Sequence, residues 1–243
     1  RPACRISRSP ATKHIQDRYV ALKFTMGEQK KSHRDYLDKT FLEELNYKIW
    51  VSKGCRFEAD KRLLTISHWS NLCTSILSVY LIAVGLLSVY NIYNQDWLNE
   101  NIIAYSITCI SILLLVFSQI ENAKDFTSKA KQFHNCGLQL SELYNELRIF
   151  KTLTDSPSLE DKKNFAEKIS RKYERILERH ENHDPIDYDI FRAKKREYFE
   201  LTKFEVFIIN LRYYIKTKLI YHSLILLPII TIGLLLIFVQ NAT

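Results

Sequence analysis

Apolar and charged residues are segregated into blocks along this chain. No Asp, Glu, Lys or Arg occurs between Arg62 and Asp96. Inside that gap, residues 72–90 form a mostly apolar run of about 19 residues, enough at ~1.5 Å each to cross a ~30 Å hydrocarbon core. Residues 102–120 are a second uncharged run of similar length, and residues 219–239 a third. A soluble core would have to be much larger than 243 residues allow to bury three such helices. The pattern predicts an all-α membrane protein with a transmembrane helical hairpin and a C-terminal third span.

Between the second and third runs the period changes but remains helical. Phe126, Ala130, Phe133, Gly137, Leu140, Tyr144 and Leu147 recur at steps of four and three, an a/d seam over three heptads. Lys129, Gln132, Gln139, Glu142 and Glu146 fall off the seam. No helix breaker follows Asn122, so the second span is expected to run on into this coiled-coil-like helix without interruption. The helix should end near Asp155-Ser156-Pro157, because a proline disfavours helical backbone in the residue before it. The seam is a candidate assembly surface, closing either within one subunit or between subunits.

Ser158 and Asp161 have the spacing of a capping box, opening a helix with Phe165, Ile169, Tyr173, Ile176 and Leu177 inward. Pro185 should stop it. A last helix is expected from Asp187 or Tyr188, with Phe191, Tyr198, Leu201, Glu205, Ile208, Leu211 and Ile215 on its inner stripe. Glu205 spoils that stripe, so Phe204 is an alternative inner residue. This helix should feed the third span. Ahead of the first span, Leu37, Phe41, Leu45 and Ile49 mark a shorter amphipathic helix, broken at Ser52-Lys53-Gly54. The expected divisions are therefore a leader at 1–25, amphipathic helices at 26–67, and the hairpin at 68–120. A helical domain at 121–218 and the third span at 219–243 complete the chain.

Charge distribution adds an orientation. Lys53, Arg56, Lys61 and Arg62 precede the first span, and Lys124, Lys129 and Lys131 follow the second. The loop between them carries only Asp96 and Glu100, with Tyr90, Tyr93 and Trp97 suited to an interfacial belt. Arg212, Lys216 and Lys218 precede the third span. Basic flanks stay on the cytoplasmic side, which predicts a cytoplasmic N-terminus and a periplasmic C-terminus in a bacterial inner membrane.

The net charge of +8 would suggest a nucleic-acid partner, but residues 1–25 hold six Lys/Arg against one Asp, so five of the eight charges sit there. The only methionine is Met26, which reads as the start of the protein proper. The residues before it are upstream sequence or, alternatively, an Arg/Ser-rich transit peptide. Without them the charge is mild, and no direct nucleic-acid partner is expected. The five cysteines show no Cys-x-x-Cys spacing and read as reduced structural thiols.

Enzyme chemistry has no candidate. His180-Glu181-Asn182-His183-Asp184 is one residue short of a zinc-protease signature, and Pro185 follows at once; a helix C-cap accounts for it better. His134 and Cys136 point to different helix faces, so no metal is expected there. There is no Gly-rich phosphate loop and no serine nucleophile motif, and hence no expected cofactor. The spans offer more. Asn71, Ser75, Ser78, Gly85 and Ser88 lie close to one stripe of the first, and Tyr105, Thr108, Ser111, Ser118 and Asn122 form a looser stripe on the second. Such residues either pack helices in lipid or line an aqueous path in an oligomer. No carboxylate, Lys or Arg within the spans marks a coupled ion site, which argues against an active transporter.

Trp50-Val51-Ser52-Lys53-Gly54-Cys55-Arg56-Phe57-Glu58-Ala59-Asp60-Lys61-Arg62-Leu63 runs into the hairpin. Gly137-Leu138-Gln139-Leu140-Ser141-Glu142-Leu143-Tyr144 and Glu181-Asn182-His183-Asp184-Pro185-Ile186-Asp187-Tyr188 follow in order. Together these segments resemble the SLATT family, membrane effectors associated with bacterial nucleotide-signalling defence systems. The resemblance covers most of the chain after about Leu37. It implies a pore-forming, homo-oligomeric effector of antiphage defence by abortive infection. Such an effector is held inactive until a nucleotidyltransferase, its nucleotide product or a reverse transcriptase reports phage. The third span departs from the minimal two-span pattern. The rival expectation is a membrane scaffold or regulator that docks a partner through its cytoplasmic helices.

Overall fold

The computed structural model describes residues 40–89 and 100–242, with side chains for 40–86 and 104–231. The leader, Leu37, the interfacial aromatics of the hairpin loop and the Ser88 side chain lie outside the described residues. Among those described, all regular structure is helical: α1 (Phe41–Val89), α2 (Glu100–Ala123), α3 (Phe126–Leu153), α4 (Leu159–Glu178), α5 (Pro185–Lys194) and α6 (Lys203–Tyr214), followed by a π-helical turn (Ile215–Leu219) and α7 (Ile220–Ala242).

α1 is one helix of 49 residues, roughly 73 Å long, joining the charged body to the first apolar run. The break expected at Ser52-Lys53-Gly54 does not occur, because all three residues make packing contacts. The Ser52 hydroxyl lies 2.7 Å from that of Tyr173, and the Lys53 ammonium sits 4.2 Å above the Tyr144 ring. Gly54 lets Phe191 reach the helix backbone: a Cβ there would come within 2.2 Å of the ring. Glycine costs an isolated helix about 1 kcal/mol relative to Ala, and this close packing offsets it.

α3 lies antiparallel to α1, and the a/d seam closes within the chain. Phe126, Ala130 and Phe133 pack on Ala59 and Leu63, while Leu143, Tyr144 and Leu147 pack on Leu45 and Ile49. Leu140 is fully buried between these groups, as is Cys136. At Gly137 a Cβ would stand 2.9 Å from the Phe57 ring, so glycine there sets the helix separation.

The uninterrupted passage from α2 into α3 is corrected. α2 stops at Ala123, and Asp125 adopts left-handed backbone (φ 43°) while its carboxylate caps α3 by accepting from the Ser128 amide. Aspartate tolerates that conformation and is a good N-cap, so one residue both ends the membrane helix and starts the next. α3 ends at Leu153, before Pro157, as expected. The Ser158–Asp161 capping box opens α4, whose Ile169 is buried, with Phe165, Tyr173 and Ile176 packed around it.

The single helix expected from 187 onward is two helices. Pro185 starts α5 at its first position, where its missing N–H is no loss, under the Asp184 cap. α5 ends at Lys194, and a further capping box, Thr202–Glu205, starts α6. The interruption resets the helical phase. Phe191 and Leu201 are buried as expected, but Phe204, Glu205, Ile208, Leu211 and Ile215 face outward. Ile209, Val206 and Tyr213 turn inward instead, onto a core with Trp50, Phe191 and Phe199.

Two stretches, Phe41–Leu86 and Ala104–Leu153, contain windows long and apolar enough to cross a bilayer, and only 11% and 6% of those windows is buried. Val79, Ile82, Leu113 and Leu115 are exposed large apolar residues there. A soluble core helix would bury such side chains; a membrane helix presents them to lipid. α7 carries no Asp, Glu, Lys or Arg and has Pro228 inside it.

Candidate functional site

Most polar residues of the hairpin stripe point away from the chain's own packing. Asn71, Ser75, Thr108 and Ser111 are exposed, while Ser78 and Ser118 are half-buried. The hydroxyls of Ser75, Ser78, Thr108 and Ser111 donate to the carbonyls of Asn71, Thr74, Ala104 and Ile107, each four residues back, at 2.7–2.9 Å. Back-bonding satisfies their donors on their own helices and leaves the outer oxygen lone pairs free. A Cβ on Gly85 would meet nothing within 4 Å. Among the described residues, then, the exposed part of this stripe (Asn71, Ser75, Thr108 and Ser111, with open space at Gly85) is not a helix–helix seam. Apolar contacts hold the hairpin and α7 together instead: Cys73, Leu77, Phe117, Tyr221 and Ile225 share one cluster.

Where the hairpin meets the charged body, Glu121 is buried at the end of α2. It accepts from the Tyr221 hydroxyl of α7 at 2.8 Å, from the Lys124 ammonium, and from the buried Ser70 hydroxyl of α1. One carboxylate thus ties α1, α2 and α7. Beside it opens a small cleft of about 150 Å³, whose lining includes Ser67, Asn71, Asn122 and Asp125.

Deeper in the body, α1 presents buried charges to the loop before α5. The Arg62 guanidinium donates to both oxygens of Asp187 at 2.7 and 3.1 Å, and Asp187 is fully buried. Asp187 also accepts from the Asp184 amide at 3.0 Å as the capping-box partner of α5. The position is thus fixed by local sequence and satisfied by a distant arginine. Arg56, 1% exposed, donates to the Glu181 carbonyl, and its cation lies 5.5 Å from the Phe133 ring. Lys194 and Lys61 pair with Glu58, and Lys216 with Asp184. Burial works to raise the Asp184 carboxyl, but Lys216 and the Ile186 amide outweigh it and hold it below the usual carboxylate range. His183 is pushed down by burial and by Arg56, so its ring is neutral near pH 7.

His180 and His183 sit in this loop, beyond the α4 cap at Arg179, rather than on a helix. His134 reaches Asp60 at 2.9 Å while Cys136 turns into the core, the divergence that a two-residue spacing implies. Sequence reasoning missed Arg56, Arg62, Asp187 and Glu121 as a group. A signal existed for one of them: Arg62 falls on the buried α1 stripe of Cys55, Ala59 and Ile66, where an unpaired charge would be intolerable.

Searches of curated proteins and of solved structures return no match. The model of SMODS and SLOG-associating 2TM effector domain family 5 matches residues 38–234, which span both membrane-capable helices, the buried charge cluster and the start of α7. With that match covering most of its length, the chain belongs to this SLATT family of two-transmembrane effector domains.

Proposed function

We propose that this protein is a non-enzymatic effector of a bacterial antiphage system, which oligomerises in the inner membrane and permeabilises it when a partner reports infection. The observation that carries the reading is the outward-facing hydroxyl stripe of the hairpin. Ser75, Thr108 and Ser111, whose donors are already satisfied and which no described residue buries, are suited to water or to a second copy. The effector family supplies the context. α1 supplies the transmission: a shift of the charged body moves a rigid helix continuous with the first span. The partner is a nucleotidyltransferase, its nucleotide product or a reverse transcriptase.

The test is membrane potential and growth after co-expression with the neighbouring signalling enzyme and phage challenge. Depolarisation is expected, and Ser78→Leu should abolish it while the protein still inserts and keeps its detergent-solubilised size. Leu favours the membrane centre by about 0.3–0.6 kcal/mol, so insertion is not the casualty. Lost assembly in Ser78→Leu would make the stripe a packing surface between copies. A native protein that never depolarises challenged cells would leave the scaffold reading.

The same proposal reads α7 as a third span, with the body cytoplasmic and the C-terminus periplasmic. Single cysteines at Lys131 and Lys194 should then resist an impermeant thiol reagent in intact cells, and cysteines at Asn94 and Thr243 should react. Labelling at position 194 from outside would invert the topology.

A further inference from the structure

The outward face of α6 has the chemistry of an interface. Phe204, Ile208 and Leu211, with Ile215 where the π-helical turn continues it, recur at steps of four, three and four, and all four are exposed, Phe204 at 70%. Phe207, beside them, is 62% exposed. The opposite face is already occupied, with Val206, Ile209 and Tyr213 turned into the chain's own core. α6 is thus apolar on two sides, and the described residues cover only one.

Lipid does not account for the start of this stripe. Phe204 lies 17 residues before Tyr221, whose hydroxyl marks the charged end of the hairpin, so it sits roughly 25 Å from that level along a helix. The residue types are informative too. In heptad terms Ile208 and Ile215 take a positions and Leu211 takes d. β-Branched residues at a with leucine at d favour two parallel strands. The membrane imposes that arrangement, because copies inserted the same way stand parallel and at one depth. Each stripe residue then meets its own counterpart with no register to search for. Exposed area is also sufficient. Together with Phe207 these side chains present on the order of 500 Å² per copy, so a symmetric pair buries at most about 1,000 Å², near the lower bound of a specific interface before the spans add to it.

We infer that α6 is a homotypic interface, pairing in parallel with α6 of a second copy through Phe204, Ile208, Leu211 and Ile215. The inference deepens the proposed oligomeric effector by naming where copies meet. It also separates assembly from the α3 seam, whose apolar residues are taken up by α1.

The test uses full-length protein in native membrane vesicles, with Cys4 and Cys109 replaced by Ser and the buried Cys55, Cys73 and Cys136 retained. Single cysteines are placed at Ile208, Leu211 and, on exposed positions off the stripe, Lys203 and Asn210. Oxidation with copper phenanthroline should give disulfide-linked dimers at 208 and 211 about tenfold more efficiently than at 203 and 210. Because all four sites are exposed, the variants should fold normally, and an unchanged melting temperature in detergent checks this. Equal yields at all four positions would mean random collision and overturn the inference. Unreactive stripe cysteines would overturn it too, pointing to cover by the N-terminal residues or by a lipid surface. The arms are independent of membrane permeabilisation. Stripe-specific dimers without depolarisation would keep the interface and sink the effector reading. Depolarisation without dimers would do the reverse.

Discussion

Replacing Asp187 with Ala is expected to cost the protein about 3–5 kcal/mol, the usual penalty for breaking a buried ion pair from one side. Asp187 is fully buried and takes both guanidinium bonds of Arg62, whose side chain is only 10% exposed. Removing the carboxylate strands that cation between α1 and α5. It also strips the capping box of α5, worth about 1 kcal/mol more by itself. The readout is thermal or denaturant unfolding of the detergent-solubilised protein. A double replacement, Asp187→Leu with Arg62→Met, separates the two contributions. With no stranded charge it should recover most of the loss and retain only the cap deficit. A double variant as unstable as Asp187→Ala would mean that the pair itself, rather than the orphaned arginine, holds α5 to α1.

The helices themselves were largely legible in the sequence, because helix starts and stops are local chemistry. Ser158–Asp161 and Pro157 act over three or four residues, and the structure uses them as their spacing implies. The apolar runs were legible for the same reason: two are long, charge-free and unburied, as lipid-facing helices should be. Errors arose where a local signal had a tertiary answer. Gly54 reads as a breaker until Phe191, 137 positions later, is seen to need its missing side chain. Asp125 carries no sequence mark distinguishing it from a helix-interior aspartate, yet its left-handed backbone separates α2 from α3. The stripe at 191–215 failed because periodicity was carried across Lys194 to Thr202, where the chain turns and the phase restarts.

The functional residues divide the same way. Hydroxyls at helical spacing were visible in the sequence, and their exposure is now known for all but Ser88. Which of water or a second copy faces them depends on neighbours that a single chain does not contain. The buried charges were harder to see, since Arg56, Arg62 and Asp187 look like ordinary surface residues of charged helices. Only the fold pairs residues about 125 positions apart. The loop holding Glu181, His183 and Asp184 is pinned to α1 through Arg56 and to the approach of α7 through Lys216, while Arg62 holds Asp187 of the adjoining α5.

The Leu140→Asp variant should unfold the charged helical body rather than merely disperse an oligomer. Leu140 has no exposed surface, on the α3 face that packs against α1. Exchanging it forfeits about 2–3 kcal/mol of apolar burial. It also places a carboxylate where no cation or donor is arranged to meet it, which costs several kcal/mol more or forces the group to take up a proton. The sum rivals the whole stability of an ordinary domain, about 5–15 kcal/mol. Leu138→Asp is the matched control. Two residues away on the same helix, Leu138 is 48% exposed and points outward, so the same chemical change there should stay within about 0.5 kcal/mol. Circular dichroism melts of both variants in detergent measure the contrast. If the two behaved alike, the seam from Phe126 to Leu147 would be facing water in solution, and the packing of α3 on α1 would be wrong. If Leu140→Asp kept its melting temperature and lost only its oligomeric size, the seam would be closing between subunits. Loss of the helical melt in Leu140→Asp alone is the outcome that an intramolecular seam requires.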